Sequence, residues 1–212
     1  MRYLLLGLLA LTTYWFPVRR WFGRWGTTPE ERTRTMAGDS LLPNATHAAT
    51  HAVTIDAAPD DIWPWLVQLG YQRGGLYSYD WLDRLFGFLD RASANEILPA
   101  FQQIAVGDTI RLGPREGLTV AALQDKRALV LRYSAHEFEW VWQFGLYPLS
   151  GQRTRLITRG TERYKNTGGA WLLMRVMEPA AFVMTRKMLL GVKQRAEALR
   201  AARTYATHHV AA

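Results

Sequence analysis

"FEWVWQFGLYPLSGQRTRLITRGTERY", residues 138–164, decides the fold class. Its first half alternates strictly. Phe138, Trp140, Trp142, Phe144 and Leu146 fall on one face, and Glu139, Val141, Gln143, Gly145 and Tyr147 on the other. A period of two is that of a strand. "SGQR" supplies a hairpin turn and "TRLITRGTERY" the returning strand. Arg153, Arg155, Arg159 and Arg163 share one face of that strand. Their neighbours across the pair, Glu139 and Gln143, lie on the face away from the aromatic residues. The arginines are therefore expected on a solvated convex side with cross-strand pairing; a headgroup or anion patch is the alternative.

Working outward, "DTIRLG", "LTVAALQ" and "ALVLRYS" are further strand candidates upstream. "HAVTIDA" (51–57) is a first strand, with Ala52, Thr54 and Asp56 on one side and Val53 and Ile55 on the other. In "APDDIWPWLVQLG", Pro59 with Asp60 and Asp61 starts a helix and Gly70 stops it. Pro64 predicts two short helical pieces in place of one. Downstream, "GAWLLMRVME" is apolar and helical, and Pro179 is expected in the first turn of a new helix. From there Phe182, Thr185, Leu189, Val192, Ala196 and Leu199 recur at steps of three and four, with Arg186, Lys187, Lys193, Arg195 and Arg200 largely elsewhere. The order is one strand, short helices, a run of antiparallel strands and a terminal amphipathic helix. That order predicts an α+β domain in which the terminal helix covers the aromatic sheet face.

The chain has 212 residues, no cysteine, nine tryptophans and a formal charge of +8. Lack of cysteine excludes disulfides, thiol nucleophiles and cysteine-ligated metals. The positive charge predicts an anionic neighbour, and the tryptophans an aromatic interior or an interfacial surface. Residues 1–26 begin with an apolar run from Tyr3 to Phe16. Pro17, Arg19 and Arg20 close it, and Trp15, Trp21, Trp25 and Arg24 cluster at its end. The first reading is a membrane anchor, spanning or interfacial. A helix over residues 2–18 would be roughly 25 Å long. If it spans, the arginines place the domain on the cytoplasmic side. A secretory signal, and thus export, is the second reading, although no small-x-small cleavage site follows; an ordinary buried helix is the third. Residues 27–46 read as a linker carrying a short helical turn at Pro29–Arg34, and 204–212 as a disordered tail.

Several strings resemble the START-like superfamily, which includes the polyketide cyclase/dehydrase (SRPBCC) proteins: "THAVTIDAAPDDIWPWLVQLG", "GGLYSYDWLDRLFG", "VGDTIRLGP", "ALVLR", "TRLITR" and "MTRKMLLGVKQRAE". They look most like its uncharacterised bacterial branch. The resemblance covers roughly residues 45 to 200. It implies a helix-grip fold over 47–203, a curved antiparallel sheet wrapped around the C-terminal helix, with a hydrophobic cavity between them. It implies no cofactor. One fold hosts many sites, so it leaves the activity open.

The stretch "GYQRGGLYSYDWLDRLFG" (70–87) is the candidate site loop. It lacks GxxxxGK[ST] and GxGxxG spacing, so its glycines are turn punctuation and not a phosphate cradle. Ser78 is an expected N-cap and Gly87 an expected stop for a short helix. Asp80 would sit in the first turn, paired with Arg84, or face a cavity as an acid or base beside Tyr77 and Tyr79. The expected ligand-binding residues are Tyr77, Tyr79, Trp81, Phe138, Trp140, Trp142, Phe144, Phe182 and Leu189. Their bulk predicts a small or collapsed cavity.

His47, His51 and His136 show no metal spacing, and His208 and His209 lie in the tail. No GxSxG string and no nucleic-acid-binding pattern is present. The expected function is binding of a hydrophobic small molecule or lipid at a membrane surface. A cyclase, dehydratase or hydrolase using Asp80 with Tyr77 or Tyr79 is the alternative, and a ligand-free protein-interaction domain the third.

Overall fold

In a computed structural model, the structure describes residue 2 and residues 17–135, 137–165 and 167–210. The apolar run expected as a membrane anchor lies outside the described residues, as does His136. Among the described residues, no helix is long and apolar enough to cross a membrane.

Six strands form one antiparallel sheet: β1 (His47–Ile55), β2 (Thr109–Arg111), β3 (Gly117–Gln124), β4 (Ala128–Ala135), β5 (Phe138–Leu149) and β6 (Arg153–Tyr164). β2 to β6 form a meander, and β1 returns beside β6, giving the order β1-β6-β5-β4-β3-β2. The helices are α1 (Arg19–Phe22), α2 (Pro29–Thr33), α3 (Pro59–Val67), α4 (Asp80–Leu85) and α5 (Gly168–Val210). The α+β reading and the alternation of residues 138–146 hold. Phe144 and Leu146 of β5, Leu129 and Leu131 of β4, and Leu156 of β6 meet Met188, Leu189, Val192 and Ala196 of α5 in the main core. The sheet and long terminal helix have the helix-grip arrangement.

Both proline-based helix breaks are corrected. α3 is one helix through Pro64. Trp63, Trp65, Leu66 and Val67 are buried around that residue, and their burial outweighs one missing backbone hydrogen bond. α5 likewise runs 43 residues through Pro179, and continues through the segment expected to fray as far as Val210. Contacts flank the proline: Arg19 Nε lies 2.7 Å from Glu178 Oε2, and Phe22 stacks on Phe182 at 4.5 Å. Tertiary packing overrides local propensity at such a site.

Residues 27–46 do not behave as a linker. Thr28 and Glu31 form a capping box that starts α2. The segment then lies along the convex face of the sheet. Met36 packs with Ala52 and Ile157, and Leu42 with Val130 and Val141. The arginine face of β6 is consequently only partly solvated. Arg159 is 7% exposed and donates to Thr50 Oγ1, Asp39 Oδ2 and the carbonyls of Glu31, Arg32 and Arg34. Arg155 pairs with Glu31 at 2.7 Å. The Arg163–Glu139 pair keeps the expected cross-strand form.

The end of the N-terminal region also folds onto the domain. Thr50 donates its N–H to the Gly23 carbonyl and Ala52 to that of Trp25, so residues 23–25 cover the free edge of β1. Trp25 packs against the core under Arg186, whereas Trp21 is exposed.

Candidate ligand-binding cavity

Between the concave sheet face and the first half of α5 lies a cavity of about 410 Å³. The interior is therefore not collapsed. Alternation along β5 supplies one wall, Phe138, Trp140 and Trp142, with the two indoles stacked 5.3 Å apart. α5 supplies the roof through Phe182 and four methionines, Met174, Met177, Met184 and Met188. Phe22 of α1 closes one side. Leu76, Phe86, Phe88 and Leu112 close another. A shallow hollow of about 540 Å³ at the β4–β5 and β6 ends shares Phe138 and Tyr164 with the cavity.

Of the expected ligand-binding residues, Phe138, Trp140, Trp142 and Phe182 line this cavity. Phe144 and Leu189 are buried in the packed core beyond it. The expected Tyr77, Tyr79 and Trp81 do not line it. Tyr77 is 1% exposed and packs edge-on to Trp65, with Arg195 over its ring. Burial holds its phenol protonated far above the usual range. Tyr79 lies under Lys187, and Trp81 is 66% exposed. The physical reason is one backbone angle. Tyr77 has φ of 56°, which turns the chain so that Leu76 and Ser78 reach the cavity instead.

The loop glycines serve the turn. Gly70 and Gly75, both with positive φ, exchange two backbone hydrogen bonds at 3.0 and 3.1 Å. Asp80 neither faces the cavity nor pairs with Arg84; its carboxylate accepts from the N–H and hydroxyl of Ser93. The N-cap position belongs to Tyr79, not Ser78. The Ser78 hydroxyl instead donates to Asp83 Oδ1 at 2.6 Å. Asp83 is wholly buried, and burial pushes its carboxyl up to about 6 against the opposing Ser78 hydrogen bond. Behind the cavity-lining Ser78, it is the loop's strongly perturbed acid.

Sequence reasoning also missed the polar wall. His47, Glu162, Arg175 and Glu178 all line the cavity. Glu162 stands opposite Trp140 on one side and His47 on the other in cross-strand register. His47 Nε2 lies 3.3 Å from Glu178 Oε1. Burial raises the Glu162 carboxyl, and the charge of His47 offsets this only in part. Burial also opposes ionisation of Glu178, but the hydrogen bonds from His47 and Arg19 prevail and lower it. His51, buried with Nε2 2.7 Å from the Phe22 carbonyl, is held below the usual imidazole range by burial. The signal was available in the alternation. The parity that turns Val53 and Ile55 inward reaches back to His51 and His47, and pairing with Trp140 turns Glu162 inward. Among the described residues, no group of three or more His, Asp or Glu side chains is placed to hold a metal ion.

No family model matches the chain, and no curated protein matches it. Solved structures do. The chain is similar to the Zhui aromatase/cyclase from Streptomyces at 18% identity, over 71% of this chain and 93% of that one, with a TM-score of 0.41. It is similar to the KanY protein at 13% identity, over 71% and 97%, with a TM-score of 0.43. It is similar to CalU16 from Micromonospora echinospora at 12% identity, over 73% and 86%, with a TM-score of 0.35. The neighbours thus include an aromatase/cyclase. At these scores they assign no substrate, cofactor or reaction to this chain.

Proposed function

We propose that the chain binds a hydrophobic small molecule or lipid in the cavity between its sheet and α5. The observation that carries this reading is the cavity of about 410 Å³ bounded by the Trp140–Trp142 stack in an otherwise filled core. Its volume suits a small ligand. Flat aromatic walls favour an apolar or ring-bearing guest, and thioether side chains along the roof adapt to its outline. Burial of apolar ligand surface would drive binding at about 25 cal/mol per Å². The same reading sets the domain at an anionic lipid surface. It draws support from the apolar run before Pro17, the charge of +8, and the exposed Leu172, Leu173 and Val176 on α5.

Native mass spectrometry of the purified chain, followed by organic extraction, tests it. A stoichiometric apolar adduct is the expected result. Empty protein that takes up no added apolar probe overturns it.

A second reading, an enzyme acting on a cavity-bound substrate, is favoured by one observation. The Ser78–Asp83 pair places a hydroxyl at the cavity wall with a buried carboxyl behind it. Asp80 with Tyr77 or Tyr79 no longer supports it. Conversion of the extracted ligand during prolonged incubation, lost in Ser78→Ala, would promote this reading.

A further inference from the structure

The cavity is apolar around most of its wall, but one sector is charged. Arg19 and His47 both engage Glu178, at 2.7 and 3.3 Å, and Arg175 lies 3.6 Å from it. Glu178 is thereby matched by cations at close range. Glu162 has only a longer-range pairing. Its nearest cationic atom is His47 Nδ1 at 3.8 Å, too far for a hydrogen bond, and among the described residues no hydrogen bond reaches its carboxyl. With its side chain 28% exposed, this cavity-wall carboxyl is open to a ligand group that would supply a hydrogen bond. Burial favours its protonated form, which both donates and accepts.

We infer that Glu162 anchors the polar end of the ligand, and that the cavity takes a neutral, largely apolar molecule bearing a hydroxyl or phenol. This rests on the cavity-binding reading above. A cationic head would enter beside Arg175, which lines the cavity. An anionic head would face the carboxyls of Glu162 and Glu178. A neutral hydroxyl meets no like charge and satisfies Glu162. Trp140, directly opposite Glu162 in the β5–β6 register, places a ring surface next to that bond. Apolar body and polar end are then held by adjacent side chains on one cross-strand row.

Affinities of 2-naphthol, naphthalene, 2-naphthoate and 2-naphthylmethylammonium for the full chain, read by tryptophan fluorescence and calorimetry, test the assignment. The wild type is expected to bind 2-naphthol about tenfold tighter than naphthalene and tighter than either ion. Glu162→Leu is expected to bring naphthol and naphthalene to near equality, the ratio of the two affinities being the readout. Glu162→Gln, which keeps an acceptor and a donor, retains most of the preference. An isotope-labelled Glu162 carboxyl resonance should move with 2-naphthol and not with naphthalene, which reads the contact even if the leucine variant fails to fold. Equal affinity for naphthol and naphthalene in the wild type overturns the inference and leaves the cavity reading standing. So does a preference that survives Glu162→Leu, or tighter binding of either ion. If no probe binds, the cavity reading fails and takes the inference with it.

Discussion

Glu162 of β6 stands opposite His47 of β1 in cross-strand register, with 3.8 Å between its Oε2 and the imidazole Nδ1. Both sit on the concave face that otherwise presents aromatic and aliphatic side chains. His47 turns its other nitrogen toward Glu178 of α5, so the row links the sheet to the helix that roofs the cavity. This contact joins residues far apart in the chain, and it gives an apolar cavity one polar sector.

The cavity can be filled from its floor. Gly160 lines it, and a Cβ there would lie 3.4 Å from Trp140 Nε1, within tolerable contact. Gly160→Leu is expected to fill the space and weaken apolar probe binding at least about tenfold, with the melting temperature little changed. Fluorescence titration beside thermal unfolding separates a filled cavity from a damaged fold. Undiminished binding would place the ligand elsewhere.

Asp83 predicts a pH-dependent stability. An unfolded chain releases this proton near about pH 4, whereas the native carboxyl holds it to about 6. Between those values the native state binds more protons, so stability falls as pH rises through the window, and the full cost is present above it. At about 1.4 kcal/mol per pKa unit the cost is about 3 kcal/mol. Asp83→Asn should flatten the profile, gaining over the wild type at pH 7 and losing that advantage near pH 4. Urea unfolding across this range checks it. A constant difference between the two proteins would show that Asp83 ionises normally.

Gly191 sits where α5 meets the site loop. A Cβ there would lie 2.2 Å from the Tyr77 carbonyl oxygen and 2.9 Å from its Cβ. Backbone cannot give way as a flexible side chain does. Gly191→Ala is expected to cost about 3 kcal/mol in spite of alanine's higher helix propensity, by pushing the helix off the 76–79 turn. A gain in denaturation midpoint would contradict this close approach.

Arg159 ties residues 27–46 to the sheet. Arg159→Met is expected to cost about 3–5 kcal/mol, because Asp39 and three backbone carbonyls lose a buried cationic donor. Limited proteolysis should then cut first between residues 27 and 46. A wild-type cleavage pattern would mean that the segment is held without the guanidinium.

The amino-acid sequence by itself determined the strands, their faces and the covering role of the terminal helix. These follow from alternation in 138–146 and from steps of three and four after Pro179, patterns written in neighbouring residues. Of the nine residues it marked for the ligand, the folded chain sets Phe138, Trp140, Trp142 and Phe182 on the cavity wall. Tertiary structure decided what depends on distant contacts. Pro64 and Pro179 stay inside helices because packing on both sides repays the lost hydrogen bond. Residues 27–46 became a strap because Arg155 and Arg159 offer buried donors to Glu31 and Asp39 across more than a hundred residues. In the site loop, the positive φ of Tyr77 exchanged the facing residues, giving the cavity Leu76 and Ser78 and sending Tyr77 to the core. Local pattern specifies which face a side chain takes on a regular element. Only the folded chain specifies what stands across from it, and Glu162 acquires its meaning from Trp140, His47 and the helix above.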